Sequence, residues 1–170
     1  MKKISFLIAV TLSLCACQSS SRESNAPIKP SPTVTASTAN NAKAAGEHEH
    51  SAPHGGTLVE LGEEFAHLEI VLEASTGKLM VYALDGEAEK AVRLKQPTIE
   101  ITVTNPATVV KLDGVANSLT GETTNDTSEF TGQSDALKGA NRFEGVIRAV
   151  TVKGQPFKGV AFNFPKGNEK

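Results

Sequence analysis

The sequence predicts an all-β domain, an antiparallel sandwich or barrel of Ig-like kind, preceded by a disordered tether. Three observations predict it: apolar residues alternate with polar ones in many short runs, turn residues break those runs about every ten positions, and no stretch carries a helical period. The run over residues 65–73 shows the pattern best. Ala66, Leu68, Ile70 and Leu72 fall on one side of it, and His67, Glu69 and Glu73 on the other. Successive strand side chains point to opposite faces, so one face makes core and the other presents an imidazole next to a carboxylate.

Taken in order, the 170-residue chain has room for one domain of ordinary size after its leader. Lys2 and Lys3 precede an apolar run over residues 4–14, and Leu14-Cys15-Ala16-Cys17 follows. This is the order of a basic n-region, an h-region and a small-residue cleavage site. The run is about half of the roughly 20 residues a membrane-spanning helix needs, so residues 1–16 read as an export signal.

Leu14-Cys15-Ala16-Cys17 resembles the lipobox of bacterial lipoproteins, with Leu14, Ala16 and Cys17 at the matching positions. The resemblance implies cleavage before Cys17, acylation of that residue and, with Gln18 next, an outer-membrane address facing the periplasm. Several acyl chains give the stable anchoring that one chain cannot. The alternative is an ordinary secretory signal that ends near two cysteines.

Cys15 and Cys17 are the only cysteines, so the exported domain is expected to lack both a disulfide and a catalytic thiol. The formal charge is −2, and losing Lys2 and Lys3 with the signal takes it to −4. A mildly acidic exported chain argues against nucleic acid as a partner.

Residues 17–53 hold the acylated cysteine and a linker of Ser, Thr, Ala, Asn and Pro, too poor in large apolar side chains to offset its ordering entropy. Roughly thirty-five such residues would hold a domain some 30 to 35 Å from its anchor on average. The folded β-domain is expected over residues 54–165, with 166–170 as a tail. Strands are expected at 57–61, 65–73 and 78–84, the last with apolar residues on both faces as in a central strand covered on both sides.

Further strands are expected at 91–95, 98–104 and 107–112. Residues 113–126 read as a long turn or loop with at most one strand near Leu119, residues 128–131 as a short strand, and 136–140 as one helical turn or a loop. A hairpin closes the chain, with strands at 142–152 and 157–164 joined by Lys153-Gly154-Gln155-Pro156.

All four histidines lie within a short interval, His48, His50, His54 and His67, with Glu69 two residues beyond the last. Neutral imidazole is the commonest nitrogen ligand, and Zn²⁺ is satisfied by three or four His, Asp or Glu donors. A linker carrying His48 and His50 can fold onto His54 and His67 and close such a site. Cu(I) prefers sulfur, and the mature chain offers only Met80, so Zn, Cu(II) or Ni suits the donors better. Bland readings stand beside this one. Glu47-His48-Glu49-His50 is equally a solvated linker, His54 before Gly55-Gly56 equally caps the first strand, and His67 equally bonds a cross-strand neighbour.

Pro53-His54-Gly55-Gly56, Val59-Glu60-Leu61-Gly62, Ala66-His67-Leu68-Glu69 and Leu84-Asp85 together resemble a group of small exported bacterial lipoproteins. They are similar also to a His-Gly-Gly segment of heavy-metal efflux periplasmic adaptor subunits. The resemblance covers about residues 50–105. It implies a β-rich periplasmic domain, with metal association at His54 and His67. The chain departs from a complete adaptor in having no helical hairpin pattern and no histidine after His67.

Catalytic patterns are missing from the sequence. It has no His-Glu-x-x-His helix and no Gly-x-Ser-x-Gly elbow, and the chain is expected not to be an enzyme. The expected function is a lipid-anchored periplasmic domain that binds or buffers a divalent transition metal. The alternative is an interaction module that docks on an envelope protein partner without metal.

Overall fold

A computed structural model describes residues 50–168 of the chain. Eight strands form one antiparallel sheet: β1 (Thr57–Leu61), β2 (Ala66–Glu73), β3 (Lys78–Leu84), β4 (Thr98–Thr104), β5 (Ala107–Gly114), β6 (Glu129–Gln133), β7 (Phe143–Val152) and β8 (Gln155–Phe164). The order across the sheet is β1-β2-β3-β6-β5-β4-β7-β8. The sheet curls until its two edge strands, β1 and β8, approach each other, giving a nearly closed barrel. Of the two expected all-β forms, the barrel is the one adopted.

Alternation along each strand supplies the interior. Val59 and Leu61, Leu68 and Ile70, Leu79 and Val81, and Ile99 and Ile101 all belong to one buried cluster, joined by Val110, Leu112, Phe130 and Ile147. A fully buried side chain of this size contributes about 1.5 to 3 kcal/mol, so this shared core outweighs any local propensity. Between β7 and β8, Gly145 stands directly opposite Phe162, whose ring covers it. A Cβ on Gly145 would lie 2.5 Å from Phe162 Cζ, so the ring takes the space that a side chain would need.

Residues after the last strand finish the barrel. The backbone of Gly167 pairs with Asn163, at 3.0 and 2.6 Å. The Asn168 carboxamide then takes both backbone groups of Glu60 on edge strand β1, accepting its N–H at 2.7 Å and donating to its carbonyl at 3.1 Å. Gly167 has φ +80° and runs so close to the Leu58 carbonyl that a Cβ would collide with it. Glycine is required there by both conformation and space.

Several sequence expectations need correcting. Residues 91–95 are not a strand but a loop with isolated bridges at Leu84↔Ala91 and Leu94↔Thr127, in which Leu94 plugs the core. The apolar character there reflects single anchors, not a paired ladder. Strand β3 is fully covered on its inner side, at Leu79, Val81 and Ala83, while on its outer side only Leu84 is buried and Met80 and Tyr82 are half-buried. Met80 is therefore not a core residue. Other expectations hold: the segment around Leu119 is turn, with Leu119 95% exposed, and the single helical turn expected near residues 136–140 is a 3-10 turn at Asp135–Leu137. No helix among the described residues is long and apolar enough to cross a membrane.

Candidate functional site

The outer face of β2 holds the site. His67 and Glu69 point away from the barrel interior, yet both are 0% exposed. Residues 50–56 lie over them. Part of that cover is a small apolar cluster, in which Leu58, Leu84 and Ala88 are buried and Ala52 packs against them.

Glu69 ties the cover to the sheet. One carboxylate oxygen accepts the backbone N–H of His54 and that of Gly56, both at 2.8 Å, and the other lies 2.7 Å from His54 Nδ1. A buried carboxylate needs donors of this kind, because an unpaired one would suffer a desolvation penalty of several kcal/mol. Gly56 cannot carry a side chain in this arrangement, since its Cβ would lie 2.6 Å from the Ile70 carbonyl.

The His54 ring lies flat on Tyr82, with centroids 3.7 Å apart and an interplanar angle of 10°. Tyr82 stands opposite Glu69 in the β2–β3 ladder and opposite Glu129 in the β3–β6 ladder. Burial, then Glu129, then Glu69 push its phenol above the usual tyrosine range. The sequence reading missed Tyr82, although a usable signal was present. With the hairpin turn at residues 74–77 and Glu73 opposite Lys78, counting back four positions on each strand sets Glu69 against Tyr82.

His67 is held differently. Its Nδ1 lies 3.2 Å from the Asp85 carbonyl, at the start of a turn that the Asp85 carboxylate organises by accepting N–H groups from Glu89 and Lys90. The Lys90 N–H is the main cause holding the Asp85 carboxyl below its ordinary value, aided by the Glu89 N–H and the charges of Lys90 and Lys153, while burial opposes them. A carbonyl only accepts, so Nδ1 is the donor in this contact. The His50 ring stands beside it, 4.7 Å between centroids and tilted by 58°.

Of the sequence-predicted site residues, the structure thus brings His50 to His67, and His54 to Glu69. His54 and His67 are engaged by different partners. Among the described residues no group of three or more His, Cys, Asp or Glu side chains is arranged to hold a metal ion. His48, Cys17, the signal over residues 1–16 and most of the linker lie outside the described residues. No family model matches the chain, and no curated protein or solved structure does so either.

Proposed function

We propose that this chain is a lipid-anchored envelope protein whose barrel binds a divalent transition metal, Zn²⁺, Cu²⁺ or Ni²⁺, beside the outer face of β2. The ligands in this reading are His67 and His50, with His48, two residues upstream of His50, as the third donor. One observation carries it: His67 Nδ1 is committed to the Asp85 carbonyl while a second imidazole stands 4.7 Å away. Metal-ligating histidines characteristically donate their other ring N–H to a carbonyl or carboxylate, which sets the tautomer and steadies the ring. Two imidazoles at that separation suit a shared ion at about 2.0 to 2.1 Å from each nitrogen.

Glu69 and His54 then act as a latch. All three of their contacts fasten residues 54–56 to the sheet, and His50 lies only four residues before them. Glu69 is a positioning residue in this account, since both its oxygens already accept hydrogen bonds. The resemblance of residues 50–105 to small exported lipoproteins and to a His-Gly-Gly segment of heavy-metal efflux adaptors supports the same reading, in which Cys17 is the lipid attachment residue.

Calorimetric titration of the chain carrying Cys17→Ala with Zn²⁺, Cu²⁺ and Ni²⁺ tests the proposal. His50→Ala and His67→Gln should each weaken binding by roughly tenfold or more. Unchanged affinity in both variants removes the reading. An envelope partner crosslinked to the barrel equally well with and without chelator would then favour metal-independent docking.

A further inference from the structure

The opposite kind of chemistry gathers elsewhere on the barrel, where the start of β7, the end of β8 and the β4–β5 turn meet. A cleft of about 780 Å³ opens there, within the range typical of small-molecule sites. Arg142 and Lys166 line it, both are exposed, and among the described residues neither forms an ion pair. Two cations and one carboxylate, Glu144, line the cleft, so its lining carries a net positive charge although the chain as a whole is acidic.

Three carboxamides, Asn105, Asn141 and Asn163, also line the cleft. Each offers both a donor and an acceptor, which suits hydroxyl groups. Beneath them Phe143 and Phe164 stack with centroids 4.9 Å apart and planes within 6°. Phe143 is buried and Phe164 is half-buried, so Phe164 supplies the aromatic surface of the cleft. The one lining carboxylate, Glu144, lies 3.4 Å from the Thr104 hydroxyl.

We propose that this cleft binds an acidic saccharide, with Arg142 and Lys166 at its carboxylate, the asparagine carboxamides at its hydroxyls and Phe164 against a ring face. Each part of the lining answers one part of such a ligand. Cations alone would accept any anion, and an aromatic surface alone any apolar group. The carboxamides add the demand for hydroxyls, which a simple aromatic acid cannot meet.

The test is a set of amide NMR titrations of the chain carrying Cys17→Ala, with glucuronate, glucose and benzoate as probes. Glucuronate should shift signals of residues 141–144 and 163–166, and Arg142→Gln with Lys166→Gln should weaken that binding by about tenfold or more. Arg148→Gln, on the barrel wall, should leave it unchanged. Both cations are exposed, so an unaltered thermal midpoint would confirm that the variants fold. Benzoate binding as tightly as glucuronate overturns the saccharide assignment. Glucuronate shifts that are absent, or unaffected by the double variant, overturn the site altogether.

Discussion

His54 Nδ1 lies 2.7 Å from a Glu69 carboxylate oxygen, while the other Glu69 oxygen accepts two backbone N–H groups from the same short segment. One buried side chain therefore holds three donors from residues 54–56 and determines where the chain enters the barrel. The Glu69 carboxylate is 0% exposed and has no water to fall back on.

Glu69→Ala should destabilise the barrel by about 1 to 3 kcal/mol, because it removes the acceptor of three partly buried hydrogen bonds. Glu69→Gln should cost less, since one amide oxygen still accepts. Urea denaturation measures both. Amide exchange at Gly56 should accelerate in the same variants, and a Glu69→Ala protein within about 0.5 kcal/mol of the parent would contradict the latch.

Tyr82 is the only tyrosine in a chain without tryptophan, so its phenolate absorbance reports one site. Burial, Glu129 and Glu69 raise its pKa, and a spectrophotometric titration should give a midpoint above the usual value of about 10. Glu129→Gln should move the midpoint down. A parent midpoint at or below about 10 would show that the two carboxylates do not act on the ring as described.

The seam between the edge strands rests on Asn168 and Gly167. Asn168→Ala removes both partners of the Glu60 backbone and should cost about 1 to 2 kcal/mol, with faster amide exchange along β1. Gly167→Ala should cost more, because it combines a positive φ with a collision against the Leu58 carbonyl. Thermal unfolding that ranks the two in the opposite order would count against this account of closure.

Acid should weaken the contacts that the Glu122 carboxylate makes with Thr120 and Ser128. Burial pushes the Glu122 carboxyl up, but hydrogen bonds from Ser128 and Thr120 and the nearby Arg93 outweigh it and hold the value below the ordinary range. A depressed folded-state value gives stability that is complete above the unfolded value of about 4.3 and is lost as pH falls through the folded one. Glu122→Gln should therefore cost about 1 kcal/mol at neutral pH, and the difference from the parent should shrink in acid. A difference independent of pH would show that the charge plays no part.

Strand β2 shows how far the sequence could be read. Its alternation assigned Leu68 and Ile70 to the core and His67 and Glu69 to the other face, and the structure agrees. The same reasoning placed β4 correctly and found the closing hairpin, although its turn is only Lys153-Gly154 and Gln155 and Pro156 already belong to β8. It failed at residues 91–95, where Val92 and Leu94 imitate alternation but only isolated bridges form. At β3 it took a partly covered outer face, where Leu84 is buried but Met80 and Tyr82 are half-buried, for a fully covered one.

By itself the sequence determined the all-β class and the side of its own strand on which each residue of β2 falls, since backbone pleating alone sets that. Tertiary structure decided what lies over the outer side. Residues 50–56 fold back across β2, hold Glu69 through three contacts, and bring the His50 ring against His67. Nothing local encodes this, because the hydrogen bonds from His54 and Gly56 to Glu69 span 15 and 13 residues, and the Glu60–Asn168 bonds that close the barrel span 108. A period of two records the facing of a side chain, whereas its cover and partners come from distant segments meeting in space.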